Sequence, residues 1–193
     1  MGTQLIFCVE TNKQCKSDQI YIRDTIERFF SYDNAMVKFS FIFMAGKYKY
    51  SSNSVKSQVS KMTKEYAAGS NNNQSVVIYC FDCDDYDSNQ RDSEFLDEVK
   101  EYCEDNGYRF VWFCKDVERV YIGEKVPDKL KKKKAADFRS KKKINSVRRE
   151  MLQVAGYRQN CSNILNVLGE FECLRGKLEK SCRMLMKSIV ALS

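Results

Sequence analysis

The sequence predicts an α/β fold built on a parallel four-stranded sheet, on three observations. Four apolar stretches alternate with three segments whose apolar residues recur at helical spacing, and the connections between them are short. Residues 76–81, VVIYCF, run without a single charge, as expected of a strand covered on both faces. Strand–helix–strand alternation of this kind closes by right-handed crossovers, so all strands share one carboxyl edge.

Taken in order, residues 4–9 (QLIFCV) read as a first strand ending at Glu10, followed by the loop TNKQCKS. Asp18 reads as an N-cap for a helix over 19–31, with Ile22, Ile26, Phe29 and Phe30 on one face. Residues 37–44 (VKFSFIFM) form the second strand and close at Ala45-Gly46-Lys47. A helix over about 54–67 places Val55, Val59, Met62 and Tyr66 together and stops at Gly69 and the polar GSNNNQ segment. Strand three is 75–81. A third helix over 93–105 carries Phe95, Val99, Tyr102 and Cys103 and stops at Asn106-Gly107; residues 108–114 (YRFVWFC) form strand four.

Beyond Glu118 the character changes. Helix-prone residues 119–123 lead to Pro127, the only proline, which divides a metal-binding α/β domain (1–123) from a basic helical extension (124–193). Ile144, Val147, Met151 and Val154 restore helical spacing. From Ile164, the series Leu168, Phe171, Leu178, Cys182, Leu185, Ile189 and Leu192 predicts one long helix or two, broken near Gly169 or Gly176. Packing against the sheet is the default for this series; a coiled-coil homodimer seam is the alternative.

The third strand breaks into Asp82, Asp84, Asp85 and Asp87. Ligands of open α/β sheets bind at the loops leaving the strands' carboxyl ends. Carboxylates crowded there repel one another, and a hard divalent cation ligated by oxygen relieves that repulsion. The plainer reading is an acidic turn capping the next helix at Asp92 or Ser93. Because parallel strands share one carboxyl end, Glu10, Asp82, Asp84 and Glu118 are expected at the same edge, as ligands of Mg²⁺ or Mn²⁺.

The chain has no histidine, which excludes Ser–His–Asp and Cys–His catalysis and the common histidine metal sites. Acid–base work falls to carboxylates, lysine, tyrosine or metal-bound water. Nine scattered cysteines, several inside apolar runs, fit reduced thiols in the cytoplasm better than a disulfide framework, and Cys80-x-x-Cys83 reads as incidental. No apolar run approaches membrane-spanning length, and the N-terminus lacks a basic leader, so no membrane partner is expected.

Charge is partitioned. Residues 1–120 hold 15 basic and 19 acidic side chains, residues 121–193 hold 18 and 7. A basic end of this kind suggests a polyanion such as DNA or RNA. The candidate contacts are Lys131, Lys132, Lys133, Lys134, Lys141, Lys142, Lys143, Arg148 and Arg149, with Lys13, Lys16 and Lys47 near the acidic edge to steady a phosphate.

A strand ending in Glu (FCVET) and a later apolar strand ending in Asp-x-Asp (YCFDCDD) together resemble the Toprim domain, the metal-binding α/β module of topoisomerases, primases, OLD-type nucleases and related phage-defence proteins. Within it, the chain is most similar to the small RloB-like proteins, over roughly residues 4–123. Asp18 and Tyr21 resemble the Glu and Tyr of that family's first loop, and FVWFCKDVERVYIG resembles the end of its fourth strand. The resemblance implies that Glu10 is the general acid/base, Asp82 and Asp84 are metal ligands, and Glu118 is a supplementary acid. It implies a Mg²⁺- or Mn²⁺-dependent nuclease, catalytic through Glu10, Asp82 and Asp84. Thr11 stands where the family usually has Gly, and Asp18 where it has Glu. No helicase or ATPase motif is present, so an NTP-driven or defence-system partner would be a separate chain. The alternative is a non-catalytic nucleic-acid-binding subunit of a larger complex. Asp82-x-Asp84 also resembles the nucleophile pair of haloacid-dehalogenase phosphatases, but that pair sits on a first strand and runs into Gly and Thr or Val.

Overall fold

The computed structural model describes residues 2–177. Four parallel strands, β1 (Thr3–Val9), β3 (Val37–Phe43), β4 (Gln74–Asp82) and β5 (Arg109–Phe113), form a sheet in the order β3-β1-β4-β5. A two-residue strand β2 (Phe30–Ser31) pairs antiparallel with β6 (Arg175–Gly176) away from it. The expected α/β class and parallel sheet are therefore present. The two middle strands are the two whose ends carry Glu10 and Asp82, in a register that sets Val9 opposite Cys80.

Alternation along β1 splits the interior into two layers. Leu5, Phe7 and Val9 face one side with α1 (Ser17–Phe29), α4 (Val117–Ile122), α5 (Asp128–Ser140) and α6 (Ile164–Gly169). Ile6 and Cys8 face the other with α2 (Asn53–Ala68) and α3 (Gln90–Asp105). All seven residues of β1 are buried, as a strand between two helical layers requires.

The helix caps differ from expectation. α1 begins after Lys16, which adopts a left-handed conformation and offers no side-chain cap; Asp18 lies in the first turn instead. α3 starts three residues earlier than expected, because the Asn89 side chain accepts from the Arg91 amide in place of Asp92 or Ser93. Gly107, at φ 66°, ends α3 where Asn106-Gly107 predicted a stop; the left-handed turn there is one that glycine takes without steric cost.

The segment after Pro127 is a packed helix at its start. Phe138 of α5 is buried, with its ring edge-on to Tyr21 (5.1 Å) and Tyr121 (5.8 Å), and Arg139 pairs with the buried Asp24 at 2.6 Å. Residues 144–154 are not the helix their spacing predicts. They form 3-10 turns at Lys143–Ser146 and Arg149–Met151, and Ile144, Val147 and Leu152 are buried from those turns. The helix starting at Ile164 stops at Gly169 after six residues, at one of the two breaks expected for this series. Leu178, Cys182, Leu185, Ile189 and Leu192, which carried the predicted homodimer seam, lie outside the described residues.

On the far side of β5, Asn163 takes the place of a neighbouring strand. The Trp112 amide donates to Asn163 Oδ1 (2.9 Å) and Asn163 Nδ2 donates to the Phe110 carbonyl (3.0 Å). Ser162 Oγ donates to the Trp112 carbonyl at 2.6 Å. Among the described residues, no helix is long and apolar enough to cross a membrane.

Because α5 shares a core with α1 and α4, Phe138→Ala should destabilise the whole sheet rather than release a tail. The expected loss is about 3–5 kcal/mol, read from urea unfolding as one shifted transition by both circular dichroism and Trp112 fluorescence. A separate early transition with an unmoved main one would show that α5 is independent.

Candidate acidic centre at the carboxyl edge of the sheet

Each acidic residue reaches the edge by a separate local device. Glu10 is the first residue after β1, and its Oε1 accepts the amide of Asp82 at 2.8 Å, tying the ends of the two middle strands together. Asp82 closes β4, and its Oδ1 accepts the Val117 amide at the start of α4 (2.9 Å). Asp18, in the first turn of α1, accepts the Thr11 amide through Oδ2 (3.2 Å) and the Ser17 hydroxyl through Oδ1 (3.2 Å). Glu118, in α4, is fully buried, and neither of its carboxylate oxygens accepts a hydrogen bond. Its nearest cation is Lys131 of α5, with Nζ 3.4 Å from Oε2.

Electrostatics binds these groups into one unit. Burial pushes the Glu10 carboxyl up to about 8, against the Asp82 amide that favours its charge; Asp18 and Asp84 add to the rise. Asp82 is driven well above the carboxylate range, first by burial and then by Glu10, Asp18 and Glu118. Asp18 is also raised by burial, despite its bonds to Thr11 and Ser17. Burial lifts Glu118 to about 7, with Lys131 opposing. Lys131 is itself held charged: burial disfavours its cation, but Glu118, Asp82, Asp18 and Asp128 together outweigh that.

The other loop acids are already neutralised. Lys47 reaches Asp84 and Asp92 (2.8 Å to the latter), and Lys115 stands 3.1 Å from both Asp85 and Asp87. The structure thus divides the acidic loop: Asp82 turns into the centre, while Asp84, Asp85 and Asp87 pair with lysines. Asp84 also bends away from strand geometry, at φ 48°.

Of the predicted site residues, Glu10 and Asp82 meet directly and Glu118 joins them electrostatically; Asp84 stays at the rim. Lys47 and Lys131 face carboxylates, Lys134 pairs with Glu124 at 2.7 Å, and Arg149 stacks over Phe29. Lys13, Lys132, Lys133, Lys141, Lys142, Lys143 and Arg148 are exposed. Asp18 joins the site beyond the expected residues, and Lys131 lies inside as a countercharge where an exposed phosphate contact was expected. The signal for Asp18 was topological, because the helix following β1 starts at the same edge as the strand ends.

An all-oxygen donor set with an unsatisfied buried carboxylate suits a hard cation in chemistry. In arrangement it is not gathered: among the described residues, no three acidic or thiol side chains stand together at metal-holding distance.

Above the ordinary value of 4.5 and up to about 8 and about 7, folded Glu10 and Glu118 keep protons that the unfolded chain releases. The folded state therefore binds more protons in that window, and stability falls as pH rises through it. In chelator, the urea midpoint should drop between pH 5 and pH 8. Glu10→Gln should flatten that decline and leave the variant more stable than the native chain at pH 8. A native midpoint that stays level or climbs to pH 8 would mean the carboxyls are not gathered as described.

Comparison with protein-family models, with curated proteins and with solved structures returned no match.

Proposed function

We propose that the chain is a Toprim-type, Mg²⁺- or Mn²⁺-dependent nuclease of the RloB-like kind, cleaving nucleic-acid phosphodiesters at the acidic edge. The observation that carries this reading is the junction of Glu10 and Asp82 on adjacent parallel strands, joined by the 2.8 Å hydrogen bond within a group of carboxyls that burial keeps from ionising together. A bound divalent cation would supply charge neutralisation at the phosphoryl oxygens and an acidified water. Asp82 and Glu118 are the residues to hold it, with Glu10, and with Asp84 once Lys47 releases it.

The remaining roles belong to the chain. Glu10 keeps its proton in the metal-free chain because it is buried; with a bound cation to draw that proton off, it would accept one from an attacking water. With no histidine in the sequence, few other groups there can do so. Lys131 holds countercharge beside Glu118 and limits repulsion before substrate arrives. The exposed lysines at 132, 133 and 141–143 draw in the phosphate backbone.

A second reading, a non-catalytic nucleic-acid-binding subunit, draws on a different observation: Asp84 is occupied by Lys47, and the carboxylates are not gathered at ligand distance. Incubation with mixed DNA and RNA in Mg²⁺ or Mn²⁺ separates the two. Under the nuclease reading, Glu10→Gln and Asp82→Asn keep the fold and nucleic-acid affinity but lose turnover on the order of a hundredfold or more. Binding without metal-dependent cleavage in the native chain would favour the subunit.

Affinity itself should follow the exposed cations. Replacing Lys132, Lys133, Lys141, Lys142 and Lys143 by Glu should weaken oligonucleotide binding and flatten its dependence on salt, because each lost phosphate contact removes released counterions. An unchanged slope in a salt titration would place the nucleic-acid surface elsewhere.

A further inference from the structure

We propose that Cys83 and Cys114 are an oxidative modification site, a dithiol that a small peroxide converts reversibly into a disulfide joining the carboxyl ends of β4 and β5. The placement of the two sulfurs carries the inference. Sγ of Cys114 lies 3.0 Å from Sγ of Cys83, and both side chains are buried. The β4–β5 register sets Asp82 opposite Phe113, so Cys83 and Cys114 are the next facing pair. Beyond the strand ends the two chains stay tied by irregular hydrogen bonds, the Cys83 amide donating to the Phe113 carbonyl at 2.9 Å and the Asp84 amide to the Lys115 carbonyl at 2.7 Å. Neighbouring strands stand about 4.8 Å apart, within the roughly 4.4–6.8 Å between Cα atoms that a disulfide spans.

The chemistry assigns the order of events. A hydrogen bond joins the two sulfurs, with Cys114 Sγ as the donor. Once Cys114 loses its proton the Cys83 S–H becomes the donor, and this contact, with hydrogen bonds from Tyr86 and the Arg158 backbone, holds the Cys114 thiol below its usual range. The Cys114 thiolate attacks a peroxide oxygen, breaking the O–O bond to give a sulfenic acid and, after protonation, water. Sulfur of Cys83 then attacks the sulfenic sulfur, the S–S bond forms, and the hydroxyl leaves as a second water with the Cys83 proton. Two thiols lose two electrons and two protons, and the peroxide takes both. Tyr86 and Tyr157, with ring centroids 5.2 Å apart, flank the pair; a small peroxide is therefore expected to react in preference to a bulkier disulfide reagent.

The crosslink would bear on the acidic edge directly. Cys83 lies between Asp82 and Asp84, and Cys114 precedes Lys115, the partner of Asp85 and Asp87. Joining them fixes the loop that carries the rim carboxylates relative to the start of α4.

The test treats the reduced, full-length protein with hydrogen peroxide, blocks free thiols with N-ethylmaleimide under denaturing conditions, and maps the peptides by mass spectrometry. The peptide containing Cys83 should be joined to that containing Cys114, two hydrogens lighter than the sum of the thiol forms, and dithiothreitol should release it. Cys80→Ser should keep the link, which separates Cys83 from its neighbour in the same peptide. Cys83→Ser and Cys114→Ser should each abolish it while retaining the native circular dichroism spectrum. The oxidised protein should melt several degrees above the reduced one, because the crosslink restricts the unfolded chain. A link mapping to another cysteine pair, overoxidation of Cys114 with no link, or Cys83 and Cys114 remaining alkylatable would each overturn the proposal.

Discussion

Like charges gathered out of water at one edge of a sheet are the constraint on which the rest of the structure turns. Glu10, Asp18, Asp82 and Glu118 arrive from β1, α1, β4 and α4, and a parallel sheet sends all four to the same end. Their repulsion is contained by three different means. Backbone amides of Thr11, Asp82 and Val117 donate to three of them. Burial retains protons on the group, and Lys131 is carried in from α5 to face the fourth. A half-buried lysine beside a buried carboxylate with no hydrogen bond is a costly arrangement on its own, and the aromatic packing of Phe138 on Tyr21 and Tyr121 helps to hold α5 there.

Much of this frame was legible in the residues. The charge-free run VVIYCF and its acidic end gave β4, and the shared carboxyl edge brought Glu10 to Asp82 across some seventy residues of chain. What escaped reading depended on tertiary partners. Lys47 and Lys131 read as free cations because nothing local marks a lysine that will meet a carboxylate from another element. The spacing of Ile144, Val147, Met151 and Val154 fitted a helix, yet the chain runs through 3-10 turns there and buries only Ile144 and Val147 of the four. Asn89 won the cap of α3 because its side chain reaches the Arg91 amide, a choice that neighbouring Asp92 and Ser93 left open.

The basic half of the chain consequently has two jobs that composition alone cannot separate. Lys131, Lys134 and Arg139 are spent on Glu118, Glu124 and Asp24 and hold the molecule together. Lys132, Lys133 and the 141–143 cluster face solvent on the same segment. Within α5 the helical period sets Lys131 and Lys134, which meet carboxylates, apart from the exposed Lys132 and Lys133.

The amide of Asn163 has a consequence at the opposite border of the sheet. β5 ends the strand order, and a strand with bare amides and carbonyls is a template for a passing chain. By donating to Phe110 and accepting from Trp112, the Asn163 side chain occupies positions that an invading strand would need, while Ser162 covers the Trp112 carbonyl and the Cys161 carbonyl accepts the Cys114 amide. An aromatic, β-prone segment, RFVWF, therefore presents fewer open pairing positions at this border than a bare edge strand would.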